Sequence, residues 1–172
     1  MASGGRKCTP RRGGKPSLCY DAAVARAHFE DLAVGDAAAS AETFEVLRDE
    51  IVAFARRWDP QPFHLDEAAA RESIFGGLTA SAAHVFAIQC RLALSVEPPF
   101  AVLAGLGNDG FELLLPARPG DRLRLTRRIL GKRESKTKPD RGIVQIEHEL
   151  ANQRGELVFR AVGRVMLARR KS

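Results

Sequence analysis

The apolar positions of this chain change their spacing about halfway along its length. Between residues 81 and 94 they recur at intervals of three and four, which is the spacing of one helix face. The residues of this stripe are Ala83, Phe86, Ala87, Cys90 and Leu94. From about residue 101 onward the interval becomes two, and apolar residues alternate with arginine, glutamine and glutamate. Such alternation is typical of half-buried antiparallel strands.

The helix over 81–94 also carries apolar side chains on its other sides, at Val85, Ile88 and Leu92. A helix that is apolar on most sides is expected to be buried. Alternating strands are expected over 122–129, 144–150 and 159–167. One buried helix and a run of long antiparallel strands predict an α+β fold in which the sheet wraps around the helix.

Shorter elements are expected before the long helix. A first strand is predicted at about 40–46, followed by a helix over 50–58 that Asp49 can cap. The prolines of the segment 59–62 end that helix, because proline lacks an amide hydrogen and restricts the residue before it. A second short helix is predicted over 66–72, ended by a glycine pair.

With 172 residues, 45% of them apolar, the chain has the size of one ordinary domain. Its cysteines, Cys8, Cys19 and Cys90, show no CxxC spacing, so neither a disulfide framework nor a zinc or other metal site is expected. Cysteines of this kind fit a reducing, cytoplasmic location. No apolar run approaches the ~20 residues that a membrane helix needs. The residues near Met1 do not include the apolar region that a secretory signal needs, so a secretory signal is not expected.

The net charge of +6 is unevenly spread along the chain. Residues 1–20 carry five basic residues and no acidic one, and they lack a hydrophobic period. We interpret 1–26 as a disordered basic tail and 27–172 as the folded domain. Beyond the tail, the charge is negative over 21–120 and positive over 121–172. A basic region can attract nucleic acid, an anionic membrane or a phosphorylated ligand. An aromatic content of 6% leaves few platforms for stacking bases, so we expect neither nucleic acid nor a membrane as a partner.

The segment Asp59-Pro60-Gln61-Pro62-Phe63-His64 places a carboxylate and an imidazole five residues apart. Its two prolines restrict the backbone, so both side chains can be directed at one point. A carboxylate and a neutral histidine can share one water molecule, each accepting a hydrogen from it. On spacing alone, the segment is also compatible with Asp59 ending a helix and His64 packing beneath a loop.

Five blocks of the sequence, in this order, resemble the MaoC-like dehydratases. They read FEDLAVGD at 29–36, IVAFA to WDPQPFHLD over 51–66, FGGLTAS at 75–81, RPGD at 118–121 and NQRGE at 152–156. The resemblance implies a single hot-dog domain, in which an antiparallel sheet wraps around one long helix, and a homodimer. It also implies membership of a family that includes (R)-specific enoyl-CoA hydratases.

In these hydratases an acid and a histidine act as a pair, and Asp59 and His64 match them with the family's spacing. The resemblance implies that they activate the water that adds to C3 of a 2-enoyl thioester, or remove water from a 3-hydroxyacyl thioester. A coenzyme A thioester is then the expected substrate, with acyl carrier protein as the alternative acyl carrier, and no separate cofactor is expected. A backbone N–H at the start of the long helix stabilises the enolate, and the matching residue is Ala82, where the family has glycine. Ser81, beside it, is either a thioester contact or a helix cap.

Two other functions are compatible with the sequence. One is a hot-dog acyl-CoA thioesterase, but such enzymes tend to use an acid on or near the central helix, and residues 73–96 contain neither Asp nor Glu. The other is a non-catalytic acyl-CoA-binding subunit of a heterodimeric dehydratase, which Ala82 in place of glycine would mark. The intact Asp59 and His64 favour the catalytic interpretation.

The remaining candidate residues are assigned structural roles. His84 is expected in the core or an interface, His148 on the packed side of the sheet and His28 on the surface. Trp58 and Phe63 are expected to form an apolar wall beside the acid, which would desolvate it. Four arginines of the strand region are expected to form a solvated sheet face, a subset of which can bind the phosphates of coenzyme A. They are Arg122, Arg124, Arg127 and Arg128.

Overall fold

The computed structural model describes residues 25–170 of the chain. A short 3-10 helix, Phe29–Asp31, comes first. The helices are α1 (Arg48–Trp58), α2 (Pro62–Leu65), α3 (Glu67–Glu72) and α4 (Ala82–Ala93). The strands are β1 (Ala37–Ala39), β2 (Phe44–Glu45), β3 (Val102–Leu113), β4 (Arg122–Glu134), β5 (Arg141–Ala151) and β6 (Leu157–Ala168). Most of the predicted tail lies outside the described residues, so its disorder and the domain boundary stay predictions.

The strands form one antiparallel sheet. Its order is β1-β4-β5-β6-β3, and β2 pairs with β4 beyond β1. Leu125 lies opposite Leu150, and Leu150 lies opposite Phe159, so apolar side chains of three neighbouring strands line up on one face. Strand β3 pairs with β6 and forms an edge of the sheet.

Helix α4 packs against the inner face of this sheet. Its buried side chains Val85, Ile88 and Leu92 belong to the same core cluster as Leu123 and Leu125 of β4. Burial of each such side chain contributes ~1.5–3 kcal/mol, so these contacts hold the helix firmly against the sheet. The predicted α+β architecture, with one long helix enclosed by an antiparallel sheet, is therefore confirmed.

The face of α4 that turns inward is the opposite of the predicted stripe. Phe86 of that stripe is half-buried, and its other four residues are exposed: Ala83, Ala87, Cys90 and Leu94. Within one chain the sheet therefore buries one side of the helix, and the apolar stripe that the spacing picks out lies on the other side. Both sides of the helix are apolar, so the spacing of three and four fits either side and does not indicate which one faces the sheet.

The strand predicted at 40–46 is also wrong in its bounds. Within those bounds the structure has only β2, because β1 ends at Ala39 and a bend at 41–42 separates the two strands. Ser40, just before the bend, donates its hydroxyl to the carbonyl of Glu42 (2.7 Å) and accepts from the backbone N–H of Leu125 (3.1 Å). Helix α1 begins earlier than predicted, at Arg48, with Leu47 at the N-cap position. Asp49 thus lies in the first turn, where its charge complements the helix dipole, and does not cap the helix.

The proline segment contains a helix that the sequence did not indicate. Pro62 starts the single turn α2, which is possible because the first helical position needs no N–H donor. The short helix predicted over 66–72 is confirmed as α3, with the Asp66 carboxylate accepting from Ala68 and Ala69 N–H at 2.9 Å each. It ends at Glu72, ahead of the glycine pair.

Arg127 is the exception among the four arginines predicted on the solvated face. Arg122, Arg124 and Arg128 are exposed, but Arg127 points inward and is 6% exposed. Its guanidinium donates to the carbonyl oxygens of Val96 (3.3 Å) and Pro98 (2.7 Å). It also lies 3.7 Å from the centre of the Phe100 ring. Burial lowers the pKa of Arg127 to about 10, against the raising effect of the Glu97 charge. Arg127 therefore secures the segment between α4 and β3.

Within residues 25–170, no helix is both long enough and apolar enough to span a membrane.

Candidate active site

The end of α1 and the turn α2 bring Asp59 and His64 together. Asp59 follows the last residue of α1, and its backbone N–H donates to the carbonyl of Ala55 at 2.9 Å. The next turn, α2, carries His64 and aims its ring back toward that end. The His64 Nε2 atom lies 3.7 Å from the Asp59 Oδ2 atom. The pair that the sequence singled out is therefore adjacent in space.

The orientation of the His64 ring is fixed by a backbone carbonyl. Its Nδ1 atom lies 2.6 Å from the carbonyl oxygen of Thr79. A carbonyl oxygen only accepts hydrogen bonds, so Nδ1 carries the hydrogen. In the neutral ring, Nε2 then presents a lone pair toward Asp59. The ring is buried and packs edge-on against Phe63, with centroids 4.6 Å apart.

Trp58 does not form the predicted wall. Its side chain is 63% exposed, and the Arg57 guanidinium lies 5.0 Å from the centre of its ring. Phe63 does pack beside His64, and it also contacts Phe75, with ring centroids 5.1 Å apart. The apolar wall is therefore made by Phe63 and Phe75.

Asp59 and His64 open into a cavity of about 390 Å³. They are the ionisable residues of its lining, and most of the rest is apolar. The remaining lining residues are Phe75, Thr79, Ala80, Ala82, Leu113, Leu114, Leu115, Pro116 and Ala117. A mostly apolar cavity with one acid–histidine pair suits an acyl group whose reaction involves a water molecule.

The N-terminus of α4 reaches the same cavity. Ala82, its first residue, lines the cavity. Ser81 precedes it as the N-cap, and its side-chain oxygen accepts from the backbone N–H of His84 at 3.3 Å. Within residues 25–170, the N–H of Ala82 has no hydrogen-bond acceptor, as is usual in a first helical turn. This free donor, at the positive end of the helix dipole, suits a developing negative charge.

The structure thus gives Ser81 the cap role, and contact between Ser81 and a substrate stays a prediction.

The other histidines lie away from Asp59. His84 is buried, stacks on Phe54 with centroids 4.6 Å apart, and has its pKa lowered by burial, against the raising effect of Glu50. His148 lies on the packed side of β5, where burial and the Arg127 charge lower its pKa to about 4. These two placements agree with the predictions. His28 was predicted on the surface but is half-buried, with Nδ1 3.1 Å from the carbonyl of Arg26.

The exposed charges of the sheet are extensively paired. Arg160 bonds to Glu149 at 2.7 Å, and Arg164 lies 3.0 Å from Asp109. Arg128 lies 4.0 Å from Glu147. No cluster of three or more His, Cys, Asp or Glu side chains in the described part of the chain could hold a metal ion.

Sequence reasoning missed Thr79 and the Leu113–Leu115 wall. Thr79 acts through its carbonyl oxygen, and every residue has one, so no side-chain pattern marks it. The three leucines lie at the end of β3 without alternation, and only the fold brings them to Asp59. Thr79 lies in one of the blocks that carry the family resemblance, which is the one available signal.

The description "MaoC like domain" belongs to a family model that matches residues 29–152. The chain belongs to this family. A MaoC-like dehydratase from Rhodospirillum rubrum is 44% identical, with a TM-score of 0.80 over 85% of this chain and 99% of that chain. The uncharacterised protein YdeM of Bacillus subtilis is 28% identical over 74% of this chain and 90% of its own length.

The fold is the single hot-dog domain that the resemblance implied. An (R)-hydratase from A. caviae involved in PHA biosynthesis superposes with a TM-score of 0.64, at 23% identity, over 80% of this chain and 98% of that chain. At that identity the likeness extends to the fold alone. The family assignment rests on the matched residues 29–152, which include the Asp59–His64 segment and the start of α4.

Proposed function

We propose that this protein is a hydro-lyase that adds water to a 2-enoyl thioester, or removes it from a 3-hydroxyacyl thioester, in the manner of an (R)-specific enoyl-CoA hydratase. The observation that carries the proposal is the bond from His64 Nδ1 to the Thr79 carbonyl. It leaves Nε2 free to accept a hydrogen, next to the Asp59 carboxylate and inside an apolar cavity.

In hydration, one water molecule lies between the Asp59 carboxylate and His64 Nε2, each accepting one of its hydrogens. The water oxygen forms a bond to C3, and the C2–C3 π electrons move toward the thioester carbonyl to give an enolate. A proton passes from the water to the pair, and the pair delivers a proton to C2 as the enolate collapses. Both side chains end in their starting states, and dehydration follows the same steps in reverse.

The enolate oxygen is assigned to the backbone N–H of Ala82. Alanine keeps the amide hydrogen of the glycine that the family usually has here, so the donor survives. Compared with glycine, Ala82 adds a methyl group, and Ala82 lines the cavity. We therefore expect Ala82 to affect the size of the acyl group more than the mechanism. Donors already in place are worth several kcal/mol in such sites, typically about 3–4 for one oxyanion-hole hydrogen bond.

A homodimer is the proposed state of the molecule. Strand β3 is an edge strand, and it exposes Val102, Leu103 and Leu106. The exposed side of α4 adds Leu94 to the apolar surface. A long exposed apolar edge strand is a liability in a monomer, and a second copy of this chain would cover it. The cytoplasmic location and coenzyme A as the acyl carrier are part of the same proposal.

Two alternative functions make different predictions for one assay. A thioesterase would release free thiol from an acyl-CoA, and a non-catalytic subunit would bind acyl-CoA without turnover. Within the described residues, α4 carries no acid that could serve a thioesterase. The substitution of glycine by Ala82 is the one feature that favours a silent subunit.

The test follows the loss of the conjugated enoyl-thioester absorbance of crotonyl-CoA, with chiral analysis of the product. We expect an (R)-3-hydroxyacyl product, and we expect Asp59→Asn to lower kcat by about 10²–10⁴-fold. Asp49→Asn is the matched control, because that side chain is 94% exposed on α1. No turnover of crotonyl-CoA or of longer and branched enoyl-CoAs, with tight binding retained, would assign the silent-subunit role instead.

A further inference from the structure

The segment that carries the Thr79 carbonyl is held by the chain that follows β3. The backbone N–H of Ala80 donates to the carbonyl of Ala117 at 2.9 Å, and the Thr79 hydroxyl donates to the same oxygen at 3.1 Å. These bonds fix residues 79–80 from one side. Residues 75–78, which precede them, are contacted by Arg118, the residue that follows Ala117.

Arg118 reaches across to this segment from a well-anchored base. Its backbone N–H donates to the buried Asp121 carboxylate at 2.8 Å. Its Nη2 atom donates to the carbonyl oxygen of Phe75. Its Nη1 atom lies so close to Gly77 that a Cβ on that glycine would be 2.9 Å away. The guanidinium thus lies against the backbone of Gly77 while it bonds to the residue two positions earlier.

We propose that Arg118 is a positioning residue for the reaction, acting through the segment 75–79 on the orientation of His64. This inference rests on the proposed function. Two routes lead from Arg118 to the ring. One runs along the backbone from the Phe75 carbonyl to the Thr79 carbonyl, which accepts from His64 Nδ1 at 2.6 Å. The other runs through the Phe75 ring to Phe63 and then to the His64 ring, with centroid separations of 5.1 and 4.6 Å.

The glycine and the arginine depend on each other. Only atoms of Arg118 lie within 4 Å of the position that a Gly77 side chain would occupy, apart from the neighbouring residues in the chain. A methyl group at residue 77 therefore displaces the guanidinium and nothing else. A planar guanidinium can lie flat against a glycine and still donate sideways to a carbonyl, which a lysine ammonium does less well. Arg118→Lys is thus expected to restore the function only in part.

The experiment compares Arg118→Ala, Gly77→Ala and the double variant with the wild type. Two readouts are taken: kcat and KM with crotonyl-CoA, and the tautomer of His64 in the resting protein from ¹⁵N–¹H spectra of the imidazole rings. His64→Asn identifies the His64 signals among those of the four histidines. The wild type is expected to carry its hydrogen on Nδ1. Either single variant is expected to show a mixture of tautomers and a kcat lowered by about tenfold to a hundredfold, with KM changed less.

The double variant gives the sharpest outcome. Once Arg118 is alanine, the methyl group at residue 77 has nothing to displace, so the double variant is expected to match Arg118→Ala alone. Gly131→Ala is the control, because a Cβ at that glycine meets Gln145 at an ordinary 3.6 Å, and both readouts are expected to stay at wild-type values.

An unchanged Nδ1–H tautomer and unchanged kcat in Arg118→Ala and Gly77→Ala would overturn the positioning role, as would additive effects in the double variant. The tautomer is read without substrate, so a shifted tautomer in a protein that turns over no enoyl-CoA would uphold the positioning role and refute the proposed function. If Arg118→Ala does not fold, two milder variants are measured in the same two ways. Gly77→Ala keeps Arg118 and displaces its guanidinium, and Arg118→Lys keeps the aliphatic stem and the positive charge.

Discussion

His64 Nδ1 donates to the carbonyl oxygen of Thr79, fifteen residues further along the chain, at 2.6 Å. This one bond decides which ring nitrogen faces Asp59. It joins the turn α2 to the segment that leads into α4, so the acid–histidine pair and the free N–H of Ala82 are positioned by the same stretch of backbone. The geometry of the proposed base and of the proposed oxyanion donor is therefore coupled.

The first prediction separates the two roles of His64. In His64→Asn, the side-chain amide can take the place of Nδ1–H and keep the bond to Thr79, but nothing replaces Nε2. We expect this variant to fold with nearly wild-type stability and to lose about 10²–10⁴-fold in kcat. In His64→Ala the Thr79 carbonyl loses its partner in a buried site, which should lower the free energy of unfolding by about 1–3 kcal/mol as well.

Urea unfolding and the crotonyl-CoA assay check this prediction together. Equal stability of the two variants would show that the bond to Thr79 contributes nothing to the folded state. Substantial activity of His64→Asn would show that Nε2 is not needed.

The second prediction removes the N–H of Ala82 without removing the helix. Proline is well tolerated at the first helical position, and Ser81 before it already has the extended backbone that proline requires (φ −68°, ψ 157°). Ala82→Pro should therefore fold, but it lacks the proposed oxyanion donor, and we expect kcat to fall by about 10²–10³-fold.

Ala82→Val is the control for volume at that position. It adds a side chain of similar bulk while keeping the amide hydrogen, so it should raise KM for longer acyl chains and leave kcat within about tenfold of the wild type. Equal losses of kcat in the proline and valine variants would mean that bulk, and not the N–H, accounts for the effect.

The sequence predicted most of the architecture because the strands of the sheet have one buried and one exposed face. Leu123 and Leu125 alternate with Arg122 and Arg124, and all four lie where that period places them. The same rule applied without exception would have placed Arg127 inside, since it is two residues beyond Leu125. A charged side chain at an inward position is costly unless its donors are satisfied, and only the structure supplies the carbonyls that satisfy them.

The candidate site could be predicted only in part. The pair Asp59 and His64 is local, and its spacing and prolines are visible in one segment. The Thr79 carbonyl contacts His64 from 15 residues further along the chain. The Arg118 guanidinium comes from 54 residues beyond His64 and contacts Phe75 and Gly77, in the segment before Thr79. Neither contact has a periodic signature, because a backbone acceptor is present at every residue and an arginine on a turn usually faces solvent.

The third prediction concerns the apolar edge. Leu103 on β3 is 49% exposed and belongs to the apolar surface formed by β3 and the exposed side of α4. Leu130 on β4 is 38% exposed and lies outside that surface. Leu103→Arg would place a charge in the proposed contact between two copies, where it lacks a partner. We expect sedimentation velocity to give twice the 18.8 kDa chain mass for the wild type and for Leu130→Arg, and the single-chain mass for Leu103→Arg.

A wild-type protein that sediments as a single chain at micromolar concentration would contradict the homodimer. A Leu103→Arg variant that keeps the doubled mass would place the contact elsewhere on the molecule.

The last prediction follows from His148 on the packed side of β5. Burial and the Arg127 charge lower its pKa from 6.5 to about 4. Above pH 6.5 the imidazole is neutral in both the folded and the unfolded chain, so its contribution to stability is fully present. As the pH falls from 6.5 toward 4, His148 becomes protonated in the unfolded chain but stays neutral in the folded chain, so the free energy of unfolding decreases. A tenfold difference in proton affinity between the two states corresponds to ~1.4 kcal/mol, so the loss reaches roughly 2–3 kcal/mol near pH 4.5.

Urea unfolding at pH 7 and pH 4.5 measures this loss. His148→Gln removes the titrating group, and we expect its decline in unfolding free energy over that interval to be smaller than the wild type's by about 2 kcal/mol. His84, whose pKa burial also lowers, is present in both proteins, so its contribution cancels in the comparison. Equal declines in unfolding free energy for His148→Gln and the wild type would contradict the prediction. They would show that His148 has the same pKa in the folded and the unfolded chain, despite its burial beside Arg127.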